Sequence, residues 1–147
     1  MDYRNTIKVK TNQEDVFRAI SVEIEKWWGK TDNPVYQVGD EFSIFFGTTE
    51  WRFLITEFSK YDQITWRCIK AHHIVDGLPG IEEEWLNTEI YWKLRAIGEY
   101  VEVSFLHKGL NPELKCYSVC EPGWNFFIST SLKNYLETGQ GSPRFYE

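Results

Sequence analysis

The hydrophobic pattern of this chain changes its period once, after Gly109, and this change constrains the fold more than any other feature. Between Glu41 and His107, alternating runs separated by turn residues indicate successive β-strands. Beyond Gly109 a mostly apolar stripe follows helical spacing and stops at Gly139. The stripe consists of Trp124, Phe127, Ile128, Ser131, Leu132, Tyr135 and Leu136. We therefore predict a run of strands followed by a long C-terminal helix.

The N-terminal part adds one strand and one shorter helix. Residues Tyr3 to Lys10 alternate like a half-buried strand, and Thr11 or Asn12 can cap a helix that ends near Gly29. Residues 30–34 include Asp, Asn and Pro, which are typical of turns, so we predict a turn there. The later strands are predicted at Glu41–Phe46, Glu50–Phe58, Gln63–Lys70, Glu84–Arg95 and Tyr100–His107, with a long irregular connection from Ala71 to Glu83. The order predicts one α+β domain over residues 1–147, with an antiparallel sheet of about six strands.

Aromatic residues are unusually abundant in this chain. Seven Trp, eight Tyr and ten Phe make up 17% of the residues. Large flat side chains fill an interior less evenly than aliphatic ones, so this content favours a cavity or groove. A densely packed aromatic core accounts for the same composition.

Charge and cysteine content exclude several classes of function. The net charge of -6 and the lack of a Lys/Arg cluster argue against nucleic-acid binding. The first residues lack the apolar region of a secretory signal, and no run is long enough to span a bilayer, so we expect a cytoplasmic protein without a membrane partner. Three cysteines do not make a disulfide framework, and we expect free thiols.

His107 is the one candidate for catalysis. It follows Val101, Val103 and Phe105 on the same strand face, so its ring is expected to point inward. One interpretation is a core histidine whose polar atoms are satisfied by hydrogen bonds. The other is a polar anchor for a ligand or a proton-transfer group.

The cysteines and the remaining histidines could form a metal site. Cys116 and Cys120 are four residues apart, and His107 lies nine residues before Cys116. The spacing is not C-x-x-C, and only three ligands are available, so we predict no metal site and interpret all three thiols as buried packing groups. We expect the adjacent histidines His72 and His73 to be solvated. Neither a G-x-S-x-G motif around Ser131 nor a glycine-rich phosphate loop occurs, and we expect no cofactor.

The C-terminal half resembles a known family. The matching segments are Phe105-x-His107-x-Gly109-Leu110, Cys116-Tyr117-x-x-Cys120, Gly123-Trp124, Ser131-Leu132-Lys133 and Leu136-Glu137-Thr138-Gly139-x-Gly141-x-Pro143. They resemble a branch of the SRPBCC superfamily, START-like proteins, close to the homologues of the activator of the ATPase of the 90-kDa heat-shock protein. The N-terminal half matches in pattern, as at Thr65-Trp66 and Glu84-Trp85.

The resemblance implies a helix-grip fold, in which the sheet curls around the C-terminal helix and leaves a hydrophobic cavity. It places Phe53 or Leu54 on the sheet side of that cavity and Trp124 on the helix side. The ligand-binding residues that it implies are Phe53, Trp66, Trp92, Phe105, His107, Trp124, Phe127, Ile128, Ser131 and Tyr135. His107 and Tyr135 would orient the ligand.

Three functions follow as hypotheses, because a fold alone does not select a function. The first is binding of a small hydrophobic or aromatic ligand, such as a lipid, without catalysis. The second is a polyketide cyclase or dehydratase that uses His107 as general base. The third, a chaperone-associated interaction domain, ranks last because the co-chaperone's separate N-terminal domain has no counterpart here. A homodimer is compatible with each of them.

Overall fold

The computed structural model describes residues 1–144, which form seven β-strands, three α-helical segments, a 3₁₀ turn at Ile24–Lys26 and a π-helical segment. The strands are β1 Tyr3–Val9, β2 Lys30–Thr31, β3 Glu41–Phe46, β4 Thr49–Ser59, β5 Gln63–His72, β6 Glu89–Ile97 and β7 Tyr100–Lys108. The first helix, α1, spans Gln13–Ala19. A continuous C-terminal helix consists of the α-helical part α2 (Tyr117–Phe126), the π-helical segment Phe127–Leu132 and the α-helical end α3 (Lys133–Thr138).

All strands belong to one antiparallel sheet in the order β1-β7-β6-β5-β4-β3-β2. The sheet curls into a half-barrel, and the C-terminal helix packs against it. The ring of Trp124 on α2 lies 4.6 Å from that of Phe105 on β7, measured between centroids. The helix stripe and the inward sides of the strands therefore share one core, which confirms the predicted α+β helix-grip fold.

The sheet has one strand more than the six that the sequence predicted. Strand β2 comprises only Lys30 and Thr31, which pair with Phe45 and Ile44 of β3. The sequence pattern predicted a turn here, because two residues are too few to show an alternating period. The side chain of Glu25 accepts a hydrogen bond from the backbone N–H of Thr31 at 2.8 Å and fixes the start of the strand.

Helix α1 is shorter than predicted, although its cap is one of the two proposed. The side-chain oxygen of Asn12 accepts a hydrogen bond from the backbone N–H of Asp15 at 2.8 Å. The helix ends at Ala19, where the hydroxyl of Ser21 donates to the carbonyl of Phe17 at 2.6 Å. Such a side-chain bond competes with continuation of the helical ladder.

Strand β6 begins at Glu89, five residues later than the predicted start at Glu84. Asn87 has a φ of 67°, in the left-handed region, so the chain reverses direction just before the strand. Asn and Asp tolerate this conformation better than other non-glycine residues, but the alternation of polar and apolar side chains does not reveal it. The irregular connection between β5 and β6 therefore covers residues 73–88.

The C-terminal helix ends at Gly139, as predicted, in a left-handed C-cap with a φ of 84°. It begins after Cys116 and has Pro122 in its interior. The π-helical segment places Ile128, Ser131 and Leu132 in the core. Within residues 1–144, no helix has the length and apolar character needed to cross a membrane.

The chain beyond Gly139 returns to the core along the segment that follows α1. The hydroxyl of Ser131 donates to the carbonyl of Trp27 at 2.6 Å and accepts from the N–H of Ser142 at 2.7 Å. The N–H of Arg144 donates to the carbonyl of Trp28 at 3.0 Å. Ser131 therefore joins the C-terminal helix, the Trp27 backbone and the C-terminal segment.

Gly141 permits this close approach, and we expect Gly141→Ala to lower the free energy of unfolding by about 2–3 kcal/mol. A Cβ at this position would collide with the backbone carbonyl oxygen of Lys26, which cannot move aside as a flexible side chain could. Urea unfolding followed by far-UV circular dichroism measures the change. Gly123→Ala is the matched control, because a Cβ there meets nothing within 4 Å and alanine favours the helix by about 1 kcal/mol. Equal stabilities of the two variants would contradict the prediction.

Candidate ligand-binding site

The middle of the interface between helix and sheet is filled by aromatic rings. Phe53, Trp66, Trp92 and Phe105 are each at most 2% exposed. The rings touch in pairs, with centroid separations of 5.4 Å for Phe53 and Trp66, 5.7 Å for Trp66 and Trp92, and 4.7 Å for Trp92 and Phe105. These contacts describe a packed core at the place where the sequence predicted a cavity.

An open groove of about 800 Å³ lies at one end of this core, beside α2. Its walls come from the β3–β4 turn, strand β4, the start of the 73–88 connection, and the exposed side of α2. Aromatic rings dominate the lining, and among residues 1–144 two lining residues, Asp76 and Arg144, carry a formal charge. The aromatic lining residues are Trp28, Phe46, Trp51, Trp85, Trp124, Phe126 and Phe127.

Two of the ten predicted ligand-binding residues, Trp124 and Phe127, line this groove. Tyr135 is half-buried on α3, next to Glu23. The other seven are buried in the core, at most 2% exposed: Phe53, Trp66, Trp92, Phe105, His107, Ile128 and Ser131. The structure thus brings most of these residues together around shared packing contacts, and their roles toward a ligand stay predictions.

His107 lies inward at the end of β7, fully buried, as the strand pattern predicted. Its Nδ1 accepts a hydrogen bond from the indole N–H of Trp124 at 3.1 Å, so Nε2 carries the proton. Nε2 then donates to the hydroxyl of Thr88 at 2.8 Å, and that hydroxyl donates to the carbonyl of Trp85 at 2.6 Å. Burial lowers the pKa of His107 to about 3, so the imidazole stays neutral.

Cys116, which precedes α2, and Cys120, which lies in it, meet a histidine other than His107, the one weighed beside them in the sequence. The ring of His73, in the 73–88 connection, offers a nitrogen to the sulfurs of Cys116 and Cys120, and these three atoms lie within 4.8 Å of one another. All three residues are buried, and His73 and Cys120 also line the groove. His73 is therefore not solvated, in contrast to our expectation from its position in a loop.

Glu84 fixes this arrangement by joining the 73–88 connection to the start of α2. Its two carboxylate oxygens accept hydrogen bonds from the backbone N–H groups of Lys115 and Cys116, at 3.0 and 2.9 Å. These two residues immediately precede α2, so their N–H groups have no partner within the helix. The backbone N–H of His73 donates to the carbonyl of Glu82 at 3.0 Å, which holds the other end of the connection.

The thiols of the chain differ in acidity. A hydrogen bond from Cys120 lowers the pKa of the Cys116 thiol, whereas the same contact together with burial raises the pKa of Cys120. The Cys68 thiol lies in the core, where burial raises its pKa to about 12. Cys68 thus behaves as the packing group that the sequence predicted, and Cys116 is the more acidic member of its pair.

A few polar groups interrupt the apolar lining of the groove. Arg144 stands over the ring of Phe126 at 4.9 Å, and Asp76 supplies the other charge. Pro122 has no backbone N–H to donate to the carbonyl of Ser118 one turn earlier, so that carbonyl has no α-helical partner at i+4. A groove that combines a wide apolar lining with few polar groups is typical of sites for small organic molecules.

Sequence reasoning missed most of the groove walls. Trp51, His73 and Trp85 come from segments that are distant in sequence, and periodicity assigns side chains to faces without showing where an irregular connection packs. The ring centroids of Trp51 and Trp85 are nevertheless only 4.0 Å apart, and the rings are stacked. The available signal was the length of the connection after β5, since long irregular segments are usually functional.

The fold and the groove together define an α+β helix-grip protein, the architecture that the resemblance to the SRPBCC superfamily implied. The Aha1 dimer from Colwellia psychrerythraea is similar over 96% of this chain and 99% of its own, with a TM-score of 0.77 and 22% identity. DynU16, from the dynemicin biosynthetic locus, has a TM-score of 0.73 and 18% identity; the match covers 94% of this chain and 48% of DynU16. Protein MLL2253 from Mesorhizobium loti has a TM-score of 0.72 and 18% identity, over 91% and 96% of the two chains.

At these identities the likeness concerns the fold alone. No model of a protein family and no curated protein matches the sequence. The similar structures therefore confirm the resemblance that the C-terminal segments indicated, at the level of architecture.

Proposed function

We propose that this protein, as a single START-like domain over residues 1–147, binds a small hydrophobic or aromatic molecule in the groove beside α2. The observation that carries the proposal is the groove itself, whose volume of about 800 Å³ is lined mainly by aromatic side chains. Binding sites for small organic molecules typically measure about 300–1,000 Å³ and combine an apolar lining with few polar groups.

The shape of the groove favours a flat ligand. Trp51 and Trp85 are stacked with their planes 15° apart, and Trp85 and Trp124 with theirs 10° apart. These three indoles provide similarly oriented ring surfaces along the inner wall. A planar aromatic ligand can stack on a ring face, or meet a ring edge, where these largely buried indoles border the groove, and a fatty acyl chain can lie along the same apolar surface.

Polar groups at the groove would orient a ligand that also carries an acidic or hydroxyl group. Arg144 supplies the one positive charge among the described lining residues. Ser118 lines the groove on the helix side and adds a hydroxyl group there. We therefore favour an apolar molecule with a single acidic or hydroxyl group over a pure hydrocarbon.

The geometry of His107 does not favour the cyclase or dehydratase hypothesis. The Nδ1 lone pair, which a general base needs, accepts the indole N–H of Trp124, and Nε2 donates to Thr88. His107 is not among the residues that line the groove. The third hypothesis, association with a chaperone, rests on the likeness of fold to Aha1 alone.

Gly123 allows the proposal to be tested by filling the groove from the helix side. Gly123 lines the groove, and a side chain added there meets no other atom within 4 Å of its Cβ. We expect the wild type to bind ANS, 2-naphthol or decanoate saturably and at one site, as measured by isothermal titration calorimetry. Gly123→Phe should weaken that binding by about tenfold or more, equivalent to about 1.4 kcal/mol.

Gly123→Ala is the matched control, because a methyl group leaves most of the groove open. Its affinity should stay within about threefold of the wild type, a difference below about 1 kcal/mol. The proposal fails if none of the three probes binds the wild type saturably. It also fails if Gly123→Phe remains folded by circular dichroism and binds the probes as the wild type does.

A further inference from the structure

Three potential metal ligands meet at the inner end of the groove, although the sequence predicted no metal site. The nitrogen of His73 and the sulfurs of Cys116 and Cys120 lie within 4.8 Å of one another. His73 comes from the 73–88 connection, Cys116 from the residue that precedes α2, and Cys120 from the first turn of α2. The three ligands thus belong to two segments that fold onto each other.

A second observation concerns the hydrogen bonding of His73. The ring is only 7% exposed, and within residues 1–144 its Nδ1 is buried without a hydrogen-bond partner. Buried polar atoms without partners are rare in folded proteins, because each costs about 1–3 kcal/mol. His73 contrasts with His107, whose two ring nitrogens are both hydrogen-bonded. A cation bound to Nδ1 would remove this cost.

The spacing of the three atoms fits a tetrahedral metal ion after a small adjustment. Zinc binds thiolate sulfur at about 2.3 Å and imidazole nitrogen at about 2.0–2.1 Å, which places neighbouring ligand atoms about 3.5–3.8 Å apart. The observed separations, at most 4.8 Å, exceed this by no more than about 1.0–1.3 Å. Rotation of one side chain can supply such a change. Thiolate and imidazole ligands also select zinc over the harder magnesium and calcium ions.

We propose that His73, Cys116 and Cys120 bind a Zn²⁺ ion. Two thiolates balance its charge, and the imidazole adds a neutral ligand. Glu84 is not one of the three ligands, but its carboxylate holds the site in place by accepting hydrogen bonds from the backbone N–H groups of Lys115 and Cys116. Outer groups that orient the ligands in this way are usual around metal sites.

Three protein ligands leave the fourth tetrahedral position open. His73 and Cys120 line the groove, so this position faces the same space in which we propose that a small molecule binds. A water molecule, or a carboxylate or hydroxyl of that ligand, would complete the coordination. Zinc sites with three protein ligands and one open position are the kind that act on or bind a substrate.

Zinc binding is tested first on the wild type. Protein treated with a chelator and reducing agent, then dialysed, is titrated with Zn²⁺ in competition with a chromophoric chelator. We expect one equivalent to bind. His73→Gln and Cys116→Ser should each weaken binding by about tenfold to 100-fold or more, the loss that even an outer group of a metal site causes. Cys68→Ser is the matched control, because this buried thiol lies outside the cluster, and it should bind one equivalent with unchanged affinity.

Cobalt substitution gives an independent readout that does not depend on the variants. Co²⁺ at a tetrahedral site with two thiolates should give intense sulfur-to-cobalt charge-transfer absorption and visible bands typical of four-coordination. The proposal is overturned if the wild type binds less than half an equivalent of Zn²⁺, or if Co²⁺ gives no thiolate band. It is also overturned if folded His73→Gln and Cys116→Ser bind Zn²⁺ as tightly as Cys68→Ser does.

The test also separates this site from the proposed binding of an apolar ligand. Gly123→Phe fills the groove but leaves the three ligand residues in place, so it should retain one equivalent of Zn²⁺. Loss of zinc binding in that variant would count against the metal site as described. Failure of the apolar probes to bind, by contrast, leaves the zinc titration unaffected.

Discussion

Replacing Trp124 by alanine is expected to lower the free energy of unfolding by about 3–5 kcal/mol, the usual cost of removing a large buried aromatic side chain. The indole is 3% exposed and joins the C-terminal helix to the sheet. Its ring lies 4.9 Å from that of Trp28, 4.6 Å from that of Phe105 and 5.8 Å from that of Trp85. Urea unfolding followed by far-UV circular dichroism measures the loss.

Trp124→Phe divides this loss into a packing part and a hydrogen-bond part. Phenylalanine retains an aromatic ring but cannot donate to Nδ1 of His107, and leaving that buried acceptor unpaired costs about 1–3 kcal/mol. Tyr36→Ala is the surface control, because Tyr36 is 67% exposed and should change stability by less than about 0.5 kcal/mol. A loss below about 1 kcal/mol in Trp124→Ala would show that the helix does not depend on this ring.

The buried imidazole of His107 should make stability fall as the solution becomes acidic. Burial lowers the pKa of His107 to about 3 in the folded protein, against about 6.5 in an unfolded chain. Between these values the unfolded state binds a proton that the folded state does not. The contribution of neutral His107 to the free energy of unfolding is therefore fully present above about pH 6.5. It is lost as the pH falls toward 3, at up to about 1.4 kcal/mol per pH unit.

The comparison that isolates this contribution is His107→Gln, which cannot titrate. Between pH 7 and pH 5 the wild type should lose about 2 kcal/mol more of its unfolding free energy than the variant does. All other ionisable groups are the same in the two proteins, so their contributions cancel in the difference. Parallel pH profiles for the two proteins would contradict a neutral, buried His107.

Much of this fold was predictable because it depends on local patterns. The alternation that ends at His107 placed its side chain inward, and the stripe that ends at Gly139 defined the C-terminal helix. Both predictions used only the 2.0- and 3.6-residue periods of strand and helix. The central strands were found for the same reason. Strand β2 was missed because Lys30 and Thr31 are too short a segment to show a period.

The arrangement of the groove could not be predicted in the same way. The sequence predicted no partner for Cys116 and Cys120, and the histidine that was weighed beside them was His107, which is near in sequence. The histidine that they meet is His73, which reaches α2 only because the 73–88 connection folds back. Glu84 stabilises that packing, because its carboxylate accepts hydrogen bonds from backbone N–H groups more than thirty positions later in the sequence. A contact of this kind depends on the path of an irregular segment, about which hydrophobic periodicity carries no information.

The aromatic core has a photophysical consequence. All seven indoles form one connected set, from Trp92 and Trp66 through Trp27 and Trp28 to Trp124, Trp85 and Trp51, with adjacent ring centroids 4.0–5.9 Å apart. An electronic excitation absorbed by any of them can migrate through the set before it is emitted. The tryptophan fluorescence should therefore be strongly depolarised. A single quencher placed at Trp51 should reduce the emission of all seven indoles.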